Sequence, residues 1–363
     1  MFLLSAPSAE SKKETNSLRS QRLSGDYLLS NYNTIPYLRI LVLRFTSRVS
    51  RASLWGEIKV SSYGPISFVK EIIMFKGSIV AIVTPFKEGK VDEEAYRRLI
   101  EFQIENGTSA VVPCGTTGES ATLSVEEHNR VIDIAVEAAN KRVPVIAGTG
   151  GNSTREAIEL TEYAKKTGAD ATLQVTPYYN KPTQEGLYHH FKTIAKAAPL
   201  PQVLYNVPGR TSVNMLPETV VRLAELPEVV AIKEASGSLG QMAEIVRLAG
   251  DNITLLSGDD NLTLPVLSIG GKGVVSVVAN IAPQDTADMV NSWEEGNIEK
   301  AKALFYKLFP LCQAMFYETN PIPVKTSLAL MGKIKDEMRL PLYPMAPSNL
   351  EKLKNALKDY GLL

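Results

Sequence analysis

The chain has 363 residues, 44% of them hydrophobic and 21% charged, with 39 Lys/Arg against 39 Asp/Glu. That balance offers nothing to a nucleic acid or an anionic membrane, and no run of about 18 apolar residues is present to span a bilayer. Two cysteines, Cys114 and Cys312, are too few for a disulfide framework and fit a reducing cytoplasm, and the three histidines lack zinc-like spacing, so no metal is expected.

Charge divides the chain. Residues 1–73 hold ten Lys/Arg against five Asp/Glu, and their best apolar stretch, IPYLRILVLRF (35–45), is broken by Arg39 and Arg44. This segment reads as a disordered extension or as the product of a start codon placed too early. An organelle transit peptide and a folded regulatory module are the alternatives. Met74 opens MFKGSIVAIVTPF, which has the texture of a domain's natural start.

From residue 76, short β-rich apolar runs alternate with amphipathic stretches. SIVAIVT (78–84) precedes VDEEAYRRLIEFQIENG (91–107), a helix with a Gly stop. SAVVPC (109–114) precedes SVEEHNRVIDIAVEAAN (124–140), where Ser124 and Glu127 predict a capping box. VPVIAG (143–148) precedes STREAIELTEYAKKTG (153–168), which repeats that design with Ser153 and Glu156. Strands follow at ATLQVT (171–176), PQVLYN (201–206), VVAIKE (229–234), ITLLSG (253–258) and GVVSVV (273–278). Helical patterns continue over 296–331 and 347–358. IEKAKALFYKLFPLCQAMFYE (298–318) is apolar on most faces, which suits packing on the body or on another subunit.

Continuous apolar strands alternating with helices indicate parallel β/α units covered on both faces. Eight such units predict an α/β fold, a closed (β/α)₈ barrel over 74–300, with C-terminal helices over 301–363 packed on it. The competitor is an open doubly wound sheet, but Thr84-Pro85-Phe86 follows the first strand where that fold would place a Gly-rich dinucleotide turn.

In a barrel, groups at the C-terminal strand ends face the active-site mouth. These ends carry Gly115-Thr116-Thr117-Gly118-Glu119, Pro177-Tyr178-Tyr179-Asn180, Tyr205-Asn206 leading to Arg210, Lys233-Glu234 and Gly258-Asp259-Asp260. A strand-end lysine usually snorkels to solvent or pairs with a neighbour such as Glu234. Side chains alternate along a strand, however, so if Ala231 faces inward Lys233 does too. An inward amine is desolvated, and desolvation disfavours its charged form. A neutral amine is the nucleophile for a Schiff base with a carbonyl substrate. Tyr205, one strand away, can then shuttle protons. Thr116 and Thr117 sit on a Gly-flanked turn suited to an anion, and Arg210 offers a planar fork for a carboxylate. Taken singly, the turn is ordinary, the tyrosine is packing and the arginine is a surface ion pair. Together they indicate a lysine-dependent barrel enzyme.

GTTGES (115–120), VTPYYNKPTQEGLYHHF (175–191), YNVPGRT (205–211), IKEASG (232–237), LLSGDD (255–260), GVVSVVAN (273–280) and ETNPIPVK (318–325) resemble the dihydrodipicolinate synthase family. That family lies within the pyruvate-dependent class I aldolase and N-acetylneuraminate lyase superfamily. The resemblance covers about 74–363. It implies that pyruvate forms a Schiff base with Lys233 and that its enamine attacks L-aspartate-4-semialdehyde, in lysine and diaminopimelate biosynthesis. It implies Tyr205 as general acid/base, with Thr117 and Tyr179 completing a proton relay, Tyr179 acting in a neighbouring subunit's site. Thr116 and Thr117 would seat the pyruvate carboxylate, Arg210 would guide the semialdehyde, and Gly258 and Val275 would lie near the lysine. No metal or organic cofactor is implied, and the assembly would be a homotetramer, a dimer of dimers. Ser120, Ala121, His128, Asn152, Glu156 and Tyr178 match a lysine-effector site at the dimer interface. Val125 departs from the histidine that sensitive members often carry, and Asn152 and Glu156 have the alternative of merely capping the helix near Ser153. Other readings are a sister enzyme, such as N-acetylneuraminate lyase or a keto-sugar-acid aldolase, or a catalytically dead barrel acting as a binding protein. Thr117 and the intact PGRT turn (208–211) favour the synthase.

Overall fold

Eight short runs of buried residues pair side by side, all parallel. A computed structural model describes residues 75–363, and the reading of 1–73 lies outside the described residues. The strands are β1 Gly77–Ala81, β2 Ala110–Val112, β3 Ile146–Gly148, β4 Ala171–Val175, β5 Gln202–Asn206, β6 Val229–Glu234, β7 Thr254–Ser257 and β8 Gly273–Ser276. Their order is β2-β1-β8-β7-β6-β5-β4-β3. A parallel bridge between Val111 and Val145 joins the two ends. There the Val111 N–H donates to the Pro144 carbonyl at 3.0 Å, and the Gly148 N–H to the Pro113 carbonyl at 2.9 Å. The ring is a (β/α)₈ barrel, and the open-sheet competitor is set aside. All eight expected strands form: β6 keeps its expected bounds, β3 and β5 begin later than expected, and the other five end earlier, where their last residues leave the ladder to enter the mouth.

The strands are apolar end to end because both faces are covered. Ile79, Ala81, Val112, Ile146, Leu173, Val203, Ala231, Leu256 and Val275 fill the interior. Val80, Val111, Ala147 and Val274 face the helical shell on one side of the barrel, and Leu204, Ile232 and Leu255 do so on the other. A register shift between Gln202 and Val203 skips Val230, so Val230 joins the interior cluster beside Ala231.

Helix α1 Glu93–Glu105 ends just before its predicted stop at Gly107, and α2 Val125–Ala139 and α3 Thr154–Thr167 start where their caps predict. At α2 the capping box is complete: the Glu127 N–H donates to Ser124 Oγ at 3.2 Å and the Ser124 N–H to Glu127 Oε2 at 3.0 Å. At α3 only half of the expected design forms. Ser153 Oγ accepts from the Glu156 N–H at 3.4 Å, while the Glu156 carboxylate is not turned back onto the cap. The shell continues with α4 Gln184–Ala197, α5 Pro217–Ala224, α6 Leu239–Ala249, α7 Thr263–Ser268 and α8 Pro283–Glu294.

Beyond the eighth unit the helical pattern expected over 296–331 forms two helices, α9 Ile298–Ala314 and α10 Ile322–Leu330. The chain turns at 315–321, where prolines suited to a helix's first turn begin the second. α9 buries Ala301, Leu308, Leu311 and Cys312 but leaves Tyr306 exposed, with Phe316 exposed just beyond its end. The last helix is α11 Pro347–Tyr360. A cavity of about 430 Å³ opens beside α9 and α11, lined by Lys307, Tyr317, Lys352 and Tyr360 among others, and it includes none of the strand-end residues.

His190 on α4 is buried. Its Nδ1 is 2.9 Å from Thr154 Oγ1, and Nε2 has no hydrogen-bond partner among the described residues. Burial pushes its pKa down to about 4. The folded state therefore holds fewer protons than the unfolded chain below pH 6.5. Stability is intact above that pH and is lost as pH falls toward 4, by on the order of 3 kcal/mol from this group. We expect His190→Gln to flatten the fall in Tm between pH 6.5 and 4.5; an unchanged slope would reject this origin.

Candidate active site

Lys233 is the fifth residue of β6, in phase with inward-facing Ala231, and its residue is 5% exposed. It is in register with Tyr205 of β5, and its Nζ lies 4.2 Å from the centre of that phenol ring. The neighbouring Glu234 points outward, away from the lysine. Its carboxylate accepts from Asn206 Nδ2 at 3.0 and 3.1 Å, from the Ser236 N–H at 2.8 Å and from Gln241 Nε2 at 3.4 Å. Burial pushes the Glu234 carboxyl up, and these donors pull it part of the way back. The pairing of Lys233 with Glu234 therefore does not form.

On β7's exit, burial pushes Asp259 and Asp260 up while the Lys233 ammonium opposes the shift in both. Asp260 Oδ2 caps the next strand end, accepting from the N–H groups of Val277 and Val278 at 2.9 and 3.0 Å. Gly258, between the two strand exits, has no room for a side chain: a Cβ there would lie 2.6 Å from the Ala235 Cβ. Its N–H donates to the Glu234 carbonyl at 2.8 Å, which keeps the backbone close beside the lysine. Val275 is buried inside the barrel.

The Gly115–Ser120 turn closes on itself through Gly118 N–H to Gly115 O and Glu119 N–H to Thr116 O, each at 3.1 Å. Thr116 is half-buried and Thr117 is 2% exposed. Thr117 Oγ1 accepts from Asn320 Nδ2 at 3.0 Å. Arg210, exposed on a single helical turn Pro208–Thr211, donates from its guanidinium to the Asn320 carbonyl at 3.0 Å. Asn320 thus links two of the sequence-predicted residues, although sequence reasoning gave it no role. Its signal was its place in the ETNPIPVK block.

One predicted residue is not brought in. Tyr179 is 90% exposed, and its phenol makes no hydrogen bond among the described residues. Among the effector candidates, Asn152 Oδ1 accepts from the Tyr178 N–H at 2.8 Å rather than capping α3. His128 Nε2 is 2.8 Å from the Gly148 carbonyl while Nδ1 is buried with no hydrogen-bond partner among the described residues, and burial pushes this ring's pKa down. The Glu156 carboxylate is close enough to oppose that shift. Ser120 and Ala121 lie on the turn before α2, and Val125 is 55% exposed. Helix capping therefore does not account for the side chains of Asn152 and Glu156. No cluster able to hold a metal ion occurs among the described residues, and none of their helices is long and apolar enough to cross a membrane.

An amine inside the mouth of a closed parallel barrel, against a tyrosine from the adjacent strand and with a Gly-Thr-Thr-Gly turn at the exit of another strand, defines a lysine-centred β/α-barrel site. Residues 74–360 match the model of the dihydrodipicolinate synthetase family. A 4-hydroxy-tetrahydrodipicolinate synthase from Thermodesulfovibrio yellowstonii is 63% identical over 290 residues, spanning 80% of this chain and all of the relative. Solved structures of dihydrodipicolinate synthases are similar, two of them as follows. A chloride-inhibited dihydrodipicolinate synthase from Acinetobacter baumannii, complexed with pyruvate, is 50% identical with a TM-score of 0.79, over 80% of this chain and all of that one. A synthase from Cyanidioschyzon merolae with lysine bound is 46% identical with a TM-score of 0.78, over 80% of this chain and 99% of that one. The chain belongs to the dihydrodipicolinate synthetase family.

Proposed function

We propose that this protein is a 4-hydroxy-tetrahydrodipicolinate synthase, condensing pyruvate with L-aspartate-4-semialdehyde in lysine and diaminopimelate biosynthesis. The observation that carries the reading is the buried Lys233 amine stacked on the Tyr205 phenol. The amine attacks the pyruvate carbonyl carbon, and the carbinolamine loses water to leave an imine. Removal of a methyl proton gives the enamine, whose carbon attacks the aldehyde of the second substrate. The amino group of that substrate then adds to the imine carbon, closes the ring and releases Lys233. Each step moves a proton, and the Tyr205 phenol beside the amine suits the role of carrier.

Thr117 relays protons between Tyr205 and Tyr179. Thr116 and Thr117 seat the pyruvate carboxylate, Arg210 guides the semialdehyde, and Gly258 and Val275 shape the wall beside the lysine. Tyr179, exposed on its own chain, suits a role in a neighbouring copy's mouth and supports a dimer of dimers. The barrel over 74–300 carries the site, and the helices over 301–363 brace it. The chemistry uses a covalent pyruvate adduct and no other cofactor. Borohydride reduction in the presence of pyruvate tests the reading: one pyruvate-derived adduct is expected at Lys233, and its absence defeats it. Turnover with the semialdehyde, and none with the aldehydes of the sister lyases, separates the synthase from its superfamily.

The polar group formed by His128, Asn152, Glu156 and Tyr178 suits an amino-acid effector, and the lysine-bound relative supports lysine. Calorimetric titration with lysine is expected to give saturable binding that Glu156→Gln weakens about tenfold, as for loss of one charged hydrogen bond. An identical isotherm for the variant would remove Glu156 from that site.

A further inference from the structure

Two charges are buried away from the lysine, and the proposed chemistry does not use them. The side chains of Glu119 and Lys325 are each 0% exposed and form an ion pair between residues 206 apart in sequence. Stability is a poor account of such a pair, because an apolar pair of similar volume generally serves a core as well or better. Burial pushes the Lys325 amine down, and the Glu119 carboxylate beside it draws it back up.

Its location offers a better account. Glu119 follows Thr117 by two residues and has φ +54°, a left-handed conformation that a non-glycine residue holds only where its surroundings enforce it. Its Oε1 takes Lys325, and its Oε2 accepts from the Arg339 N–H at 3.1 Å. Lys325 follows Asn320 by five residues, and Asn320 donates to the Thr117 hydroxyl. The Phe86 ring is buried beside the pair, with Lys325 Nζ 4.2 Å and the Arg339 guanidinium carbon 4.3 Å from its centre. The C-terminal segment therefore holds the turn at two points, one at the Thr117 hydroxyl through Asn320 and one at the Glu119 carboxylate through Lys325 of α10 and the Arg339 backbone.

We propose that the Glu119–Lys325 pair is a positioning device for the reaction, fixing the Gly115–Ser120 turn so that the Thr117 hydroxyl stays in line with Tyr205. The inference rests on the synthase reading. Neither charge touches substrate, and both act through Thr117. A hydroxyl displaced by about 1 Å costs a relay on the order of 100-fold in rate.

The test measures kcat, KM, Tm and pyruvate trapping for the full chain carrying Glu119→Gln, Lys325→Met or both, each alone and over Thr117→Val. We expect Glu119→Gln to lower kcat by about 10- to 100-fold while borohydride still traps pyruvate on Lys233. Over Thr117→Val, the same substitution should change kcat by less than about twofold, because the device has lost the group it positions. Should a single variant fail to fold, the double variant, which leaves no charge buried alone, carries the comparison. A lowered Tm with kcat unchanged, or an equal loss of kcat over Thr117→Val, overturns the proposal and leaves the synthase reading standing. Failure of the unsubstituted chain to trap pyruvate would instead overturn that reading.

Discussion

Lys233→Met and Lys233→Arg are each expected to abolish the pyruvate adduct and to lower turnover by about 10³-fold or more, as when a covalent nucleophile is deleted. The fold should survive. Met fills the methylene volume of lysine without a charge, and Tyr205 keeps a neighbour for its ring. Arg retains the positive charge opposite Asp259 and Asp260 but cannot become a neutral nucleophile. Comparing the two variants separates the role of the charge from that of the free amine. Mass spectrometry after reduction reads the adduct, and a circular dichroism melt reads the fold. Substantial turnover by either variant would show that the carbonyl is activated elsewhere.

Tyr205→Phe carries the second largest expected effect, a fall in kcat of about 10²- to 10⁴-fold, the usual worth of a positioned general acid/base. The substitution removes one oxygen and leaves the ring over which Lys233 Nζ sits 4.2 Å from the centre. Packing at this buried strand end should therefore persist, and Tm should change little. Pyruvate should still be trapped by borohydride, only more slowly, because the nucleophile remains. A kcat within about threefold of the parent would remove Tyr205 from the proton path and leave Thr117 or solvent to carry it.

The barrel was legible in the sequence for a physical reason. Parallel strands covered on both faces must be apolar throughout, and the helices after β2 and β3 carry their own serine start signals. The inward aim of Lys233 followed from its spacing to Ala231, and the register with Tyr205 from adjacency of consecutive strands. The missing half of the Ser153 cap was not legible, because the Glu156 carboxylate lies within electrostatic reach of His128, a tertiary neighbour that a local pattern does not contain. Nor was the break between α9 and α10, since Pro310 lies inside α9 unbroken while the chain turns only at 315–321. The link between Asn320 and Thr117 and the ion pair between Glu119 and Lys325 join residues more than 200 positions apart. Each lay inside a block that the family resemblance singled out, but no period or spacing connects such distant halves.

The bridge at Val111 and Val145 is a joint where the staves of the ring are thinly stitched, because β2 and β3 meet there without the full ladder that joins β4, β5 and β6. Immediately above it stand the threonine-bearing loop and, across the joint, the Gly148 carbonyl that receives His128. Transient fraying of the ring should start at that joint, so the amides of Val111 and Gly148 should exchange with deuterium sooner than those of Leu204 and Ile232. Whatever molecule settles against His128 would then act as a rivet across the joint and quieten the hydroxyls above it without any change in the average shape.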